Sequence, residues 1–283
     1  MKTFTTLIGA AELAPHLDDA RWRVFDCSFD LVHPQAGELA WREARIPGAL
    51  YAHLERDLSG PITGKTGRHP LPDPDRFAAR LGEWGVGNDS QVVAYDDAGG
   101  TYAARLWWML RWLGHDAVAL LDGGIDAWEA AGFETGDVSP TPVPTVFVPR
   151  LRPQMAVDLA FMTEPAKSGA VFLLDARNAQ RFRGENETLD PVAGHIPGSV
   201  NRFFMDNLQA DRRFKPAEAL RAEYEALLGD RGAGEVVHSC GSGVTACHNL
   251  LAMEVAGLSG SRLYPGSWSE WCADPSRPVA TGP

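Results

Sequence analysis

Cys240 stands where nucleophilic chemistry is easiest to place. In Val236-Val237-His238-Ser239-Cys240-Gly241-Ser242-Gly243-Val244-Thr245-Ala246, an apolar run leads to the cysteine and two glycines punctuate the turn behind it. Ala246 to Glu254 then reads as a helix. The cysteine therefore sits at the end of a strand, at the mouth of a loop that opens a helix. Gly241 and Gly243 let the backbone bend until several N–H groups converge on one spot. The helix N-terminus adds a partial positive charge there. Such a place favours an anion, hence thiolate over thiol. One reading makes Cys240 a nucleophile in an amide cradle. The other makes it a small buried hydrophobe closing a strand.

A chain of 283 residues is long for one core and comfortable for two. Its 45% hydrophobic content and nine tryptophans indicate well-filled domains. A net charge of -11 argues against nucleic acid and anionic membrane partners, so an anionic substrate must be met by local positive charge. No run of about 18 apolar residues predicts a membrane span, and Met1 to Ile8 lacks the apolar core of a signal peptide. Four cysteines make no disulfide framework, which points to a reducing cytoplasm. Cys27 and Cys272 read as structural, and Trp107-Trp108 as core. Cys247-His248 has no partner at zinc spacing, and the glycines form neither a dinucleotide fingerprint nor a P-loop. No metal or cofactor is expected.

The elements that must position Cys240 occur twice. In the first half, Ala10 to Leu17, Phe77 to Trp84 and Tyr102 to Leu113 read as helices. Trp22 to Asp26, Gln91 to Tyr95 and Ala117 to Leu121 read as strands, and Gly123-Gly124 turns into a short helix with Trp128. The second half repeats the order. Val171 to Asp175 matches Trp22 to Asp26, and His195 to Asn201 matches Arg45 to Tyr51 around paired Ile-Pro-Gly segments. Val236 to Cys240 matches Val92 to Asp96, Thr245 matches Thr101, and Gly266 and Trp271 match Gly123 and Trp128. Matched anchors at nearly constant offset indicate a duplicated domain. Alternating strands and helices predict an α/β fold, each copy a mainly parallel sheet with helices on both faces. The expected division is a non-catalytic domain over 1–137, a proline-rich extended linker over 138–153 and a catalytic domain over 154–283. Asp96 holds the place of Cys240 in the first copy, so that loop has no nucleophile.

Together, the paired Ile-Pro-Gly segments, Asp122-Gly123-Gly124 through Trp128, Gly266-Ser267-Trp268-Ser269-Glu270-Trp271 and the Cys240–Thr245 loop resemble the tandem-domain rhodanese family of sulfurtransferases. The loop resembles the mercaptopyruvate branch; the thiosulfate branch carries basic residues where Gly241 and Ser242 stand. The resemblance implies a ping-pong reaction. Cys240 takes the outer sulfur of a small anionic donor, 3-mercaptopyruvate or thiosulfate, becomes a persulfide, and passes the sulfur to a thiol, a thioredoxin-like protein or cyanide. It further implies that Ser242 works with His69 and Asp57 as a proton relay. Read by themselves, Ser242 is equally a turn residue and His69 an exposed loop histidine before Pro70. Arg181-Phe182-Arg183-Gly184 resembles the family's substrate-binding arginine segment, which implies that Arg181 binds the donor together with the loop residues Gly241, Gly243, Val244 and Thr245. The family's second arginine is replaced at Leu189-Asp190, where Asp190 would repel an anion; Arg183 is either its substitute or a solvated surface charge.

Two other chemistries compete. A Cys-x5-Arg phosphatase loop needs arginine at position 246, where Ala246 stands. A non-catalytic sulfur carrier or persulfide-binding module fits the same residues as the enzyme and differs only in whether a small donor turns over.

Overall fold

The computed structural model describes residues 2–138, 140–163 and 171–283; Ser139 of the proline-rich stretch lies outside them. Two compact units form. One gathers Met1–Gly60, Pro72–Arg152 and Ala210–Phe214; the other gathers Pro61–Leu71, Pro153–Gln209 and Lys215–Pro283. The division does not follow the chain, because the segment carrying His69 belongs with Cys240.

In the first unit, β1 (Leu7–Ile8), β2 (Trp22–Asp26), β3 (Leu50–Tyr51), β4 (Gln91–Tyr95) and β5 (Val118–Leu121) form one sheet in the order β1-β5-β4-β2-β3, every pairing parallel. Runs such as Val118-Ala119-Leu120-Leu121 are buried throughout, as a parallel sheet covered by helices requires. The crossovers carry α1 (Ala10–Leu13), α2 (Ala36–Glu43), α3 (Pro74–Glu83) and α4 (Ala103–Trp112), and α5 (Gly124–Ala130) follows the last strand. Helix α1 is shorter than expected, giving way to a 3-10 turn over Ala14–His16 where Pro15 supplies no N–H. Asp73 caps α3 by accepting the Arg76 N–H at 2.9 Å, and Pro74 starts the helix where no donor is needed.

The second unit repeats the topology with four strands: β6 (Phe172–Asp175), β7 (Val200–Asn201), β8 (Val236–Ser239) and β9 (Arg262–Leu263), in the parallel order β7-β6-β8-β9. This is the order β3-β2-β4-β5 of the first sheet. A parallel bridge from Ala156 to Leu263 takes the place of β1. Among the described residues its helices are α6 (Leu159–Thr163), α7 (Ala179–Arg183), α8 (Ala217–Leu228), α9 (Ala246–Val255) and α10 (Ser267–Trp271). Every residue of α9 from Ala246 to Met253 is buried, so the helix behind Cys240 is a core element. Trp268, Trp271 and Tyr264 pack with Leu173, Val237 and Ile196.

The paired Ile-Pro-Gly segments are the same turn twice. Ala49 N–H donates to Ile46 O at 2.9 Å and Ser199 N–H to Ile196 O at 3.1 Å. Gly48 and Gly198 stand at φ +78° and +82°, the third turn position that favours glycine after proline. Each turn delivers the chain into an edge strand. Among the described residues, no helix is long and apolar enough to cross a membrane.

Candidate active site

Strand β8 pairs with β6 so that Ser239 lies opposite Asp175, which puts Cys240 just beyond the carboxyl end of an interior strand. Its side chain is buried at 2% exposure. The Gly243 N–H donates to Sγ at 3.1 Å. Gly243 holds φ +78°, and a Cβ there would collide with the Pro265 carbonyl, so the turn that aims this amide requires glycine.

The turn into α10 clamps the loop from behind. Ser267 Oγ accepts the Cys240 N–H at 3.1 Å and donates to Tyr264 O at 2.9 Å. Trp268 N–H donates to Cys240 O at 3.0 Å, and Ser269 N–H to Gly241 O at 2.9 Å. Ser267 sits at φ +53°, a left-handed conformation that disfavours a side chain. Its hydroxyl bonds to both partners explain why serine is held there.

His69 Nδ1 lies 2.7 Å from Ser242 Oγ, and both side chains are buried. His69 is thus no exposed loop histidine. Its neighbour Arg68, which the sequence reading passed over, enters the same site. Arg68 Nε and Nη2 donate to the two oxygens of Asp190 at 2.9 and 3.0 Å, and Arg181 Nη2 donates to Asp190 Oδ2 at 3.1 Å. A Cβ on Gly241 would stand 2.9 Å from Arg68 Nη2 and 3.4 Å from Arg181 Nη2, so two guanidinium groups crowd over that glycine. Asp190 therefore acts opposite to expectation: its buried carboxylate is neutralised by both arginines and holds them together.

Arg181 also donates to Glu187 at 2.9 Å. Burial works against the Glu187 charge, yet Arg181 and the N–H groups of Leu189 and Asp190 hold its carboxyl below the usual range. Arg177, fully buried, pairs with Asp175 at 2.7 Å and lies over the Trp268 ring. The structure places Arg183 in a surface pair with Glu185 at 2.7 Å. Val244 is buried, and Thr245 begins α9 without a side-chain cap bond. Asp57 belongs to the first unit, where it accepts the His53 N–H at 3.0 Å and Arg80 Nε at 3.1 Å.

Two partly exposed guanidiniums, a buried hydroxyl–imidazole pair and a cysteine under a backbone N–H suit attack on a small anion. The sequence profile of the Rhodanese-like domain matches residues 9–131 and again 160–274. The chain belongs to the rhodanese family of sulfurtransferases. It is 50% identical over 278 residues to the probable 3-mercaptopyruvate sulfurtransferase of Pseudomonas aeruginosa, covering 98% of each chain. It is 40% identical over 289 residues to the putative thiosulfate sulfurtransferase SseB of Mycobacterium tuberculosis, covering 98% of this chain and 97% of that one. A solved 3-mercaptopyruvate sulfurtransferase from Leishmania major superposes with a TM-score of 0.84 at 30% identity, over 94% of this chain and 74% of that one.

The rhodanese match over both repeats makes the Asp96 loop the counterpart of the Cys240 loop. Asp96 Oδ1 accepts the N–H groups of Ala98 and Gly100 at 2.9 and 2.8 Å; Oδ2 accepts those of Tyr102 and Ala103 at 2.8 and 2.9 Å. Behind it, Gly124 at φ +60° stands where Ser267 stands behind Cys240.

Proposed function

We propose that this rhodanese transfers a sulfane sulfur from 3-mercaptopyruvate or thiosulfate to a thiol, a thioredoxin-like protein or cyanide, by way of a persulfide on Cys240. The observation that carries this reading is the convergence on one loop of Cys240, the His69–Ser242 pair and the Arg68 and Arg181 guanidiniums. We assign the donor's carboxylate or sulfonate-like head to Arg68 and Arg181, which offer planar forks suited to it.

With 3-mercaptopyruvate, the Cys240 thiolate attacks the donor sulfur. A sulfur–sulfur bond forms, the carbon–sulfur bond breaks, and its electron pair becomes the enolate of pyruvate. The donor's S–H proton moves through Ser242 and His69 to the enolate carbon, leaving a Cys240 persulfide anion and pyruvate. Asp57 is kept as the relay's third member on the family resemblance. Cyanide then takes the outer sulfur as thiocyanate and returns the thiolate; a thiol takes it as a hydropersulfide. The Gly243 N–H serves thiolate and persulfide alike. The proposed division of labour keeps 1–137 as the copy whose own loop is non-catalytic, with its 61–71 segment serving the Cys240 unit, 138–153 as linker and 154–283 as the copy that carries Cys240, acting in the cytoplasm.

Intact-mass measurement after incubation with each donor tests the intermediate: a gain of one sulfur atom on Cys240 is expected. Steady-state kinetics with cyanide as common acceptor tests the donor. The loop offers no basic side chain at Gly241 or Ser242 to balance a second negative charge, so a higher kcat/KM is expected with 3-mercaptopyruvate. A larger kcat/KM with thiosulfate would show that the paired guanidiniums govern the choice.

A further inference from the structure

The unit that carries Cys240 holds a cavity of about 650 Å³ whose lining includes no residue of the 240–245 loop. It has three chemically distinct parts. Phe161, Leu159 and Leu71 give it an apolar wall. Arg262, on β9, lies with its guanidinium 4.7 Å from the Phe161 ring centroid, and its buried Nε has no hydrogen-bond partner among the described residues. Glu270, on α10, folds back against Gly266, where any Cβ would collide with its carboxylate. Burial, with a small addition from the nearby Asp158 charge, pushes the Glu270 carboxyl up against the opposing pull of Tyr264 and Arg277. The Tyr264 hydroxyl is wholly buried and faces Glu270 without closing a hydrogen bond of good geometry.

An acidic pole that Arg277 offsets only in part, a lining guanidinium whose recorded contact is an aromatic face, and an apolar wall in one cavity describe a zwitterion with an apolar body. We infer that this cavity binds a small α-amino acid with an apolar side chain, its carboxylate on Arg262, its ammonium on Glu270 and Asp158, and its side chain against Phe161. Gly67 and Pro70 line the same cavity on either side of Arg68 and His69. Gly67 is packed so tightly on the Gly266 carbonyl and Ser269 Oγ that it has no room for a side chain, and Ser269 Oγ accepts the Arg68 N–H at 3.0 Å. The occupied site therefore borders the segment that brings Arg68 and His69 to the loop.

Isothermal calorimetry on the full chain tests this with four probes: L-phenylalanine, L-methionine, phenethylamine and 3-phenylpropionate. Both amino acids are expected to bind, and the two analogues lacking one charge to bind at least about ten-fold more weakly, the loss of one charged contact. Arg262→Gln and Glu270→Gln are each expected to weaken L-phenylalanine by a similar factor, and Phe161→Ala to weaken it as well. Should Glu270→Gln not fold, Arg262→Gln alone decides. The inference does not rest on sulfur transfer, so Cys240→Ser is expected to bind as the parent does. Absence of binding by both amino acids, equal binding of the single-charge analogues, unchanged binding by Arg262→Gln, or loss of binding in Cys240→Ser would each overturn it.

Discussion

The Asp96 loop and the Cys240 loop are one element built twice, and they differ in what fills it. Both follow an interior parallel strand, both open a buried helix, and both have their first carbonyl bound from behind, by Ile125 N–H at 3.3 Å and by Trp268 N–H at 3.0 Å. In the first unit the loop's anion is its own Asp96 carboxylate, which takes four backbone N–H groups. In the second, the Cys240 Sγ takes the Gly243 N–H, and the guanidinium groups of Arg68 and Arg181 stand over Gly241. At the matching place in the first copy, Asp97 replaces Gly241. The same backbone thus closes on itself around a carboxylate with one residue and holds a thiol under one N–H with another. The left-handed position behind each loop differs in the same sense. Gly124 adopts it without strain, whereas Ser267 accepts the strain and supplies a hydroxyl to Cys240.

The comparison is sharpest at its centre. Cys240→Ser is expected to abolish sulfur transfer with either donor while circular dichroism remains native. The double variant Cys240→Ser/Asp96→Cys is expected to stay inactive, because Asp97 repels a persulfide there. Sulfur loading of the introduced thiol, read by mass, would break the distinction between the loops.

Next in size is the Asp96 loop itself. Asp96→Ala leaves four N–H groups without their carboxylate, and with charge-assisted bonds at about 1.5–3 kcal/mol each and far from additive, a loss of roughly 3–6 kcal/mol is expected. Urea unfolding measures it; a loss under about 1 kcal/mol would mean the loop holds its shape without the anion.

The two units should also answer acid in opposite directions. Burial, opposed in part by Ser28, raises Asp26 on β2 to about 6. The stability tied to its protonated form is complete below its ordinary value near 3.8 and lost as pH rises through 6, about 3 kcal/mol in all. Burial lowers His238 on β8 to about 3. Its neutral form is favoured, so that stability is complete above about 6.5 and lost as pH falls toward 3. Between about pH 4 and 6 the first unit should therefore gain from acid and the second lose. Amide exchange by mass spectrometry separates peptides of β2 from those of β8. Asp26→Asn is expected to slow exchange in β2 at pH 7.5 and to have little effect near pH 4; parallel drift of both units would refute the contrast.

Smaller effects belong to single contacts in the reactive loop. Arg181→Ala is expected to lower kcat/KM for the donor about ten- to a hundred-fold, the worth of one charged contact, and to spare the acceptor step. Unchanged sulfur loading would remove Arg181 from donor binding. Ser267→Ala and Ser267→Gly lose the same hydroxyl and differ only in backbone strain. The glycine variant is expected to be the more stable by roughly 1 kcal/mol, the reverse of the usual preference, as thermal unfolding would show.

The sequence by itself determined the repeat, the parallel α/β architecture and the place of Cys240. Those follow from local physics: apolar runs that must bury as strands, Ile-Pro-Gly turns whose glycines alone reach φ +78° and +82°, and glycines that bend a strand into a helix. Helices α2 and α8 escaped notice, their faces mixed with charge and their caps unmarked by any residue reaching back to the backbone. What the tertiary structure decided is which distant side chains meet. His69 joins Ser242 across 173 positions, and Arg68 arrives beside it although nothing local marks it out among the chain's other arginines. Asp190, read along the chain, is a repulsive charge; buried between two guanidiniums it becomes the group that fixes them. Asp96 likewise reads as a missing nucleophile and turns out to be a bound anion. In each case the sign of a residue's contribution depends on its desolvation and on partners brought by the fold, and neither quantity is written in the neighbouring sequence.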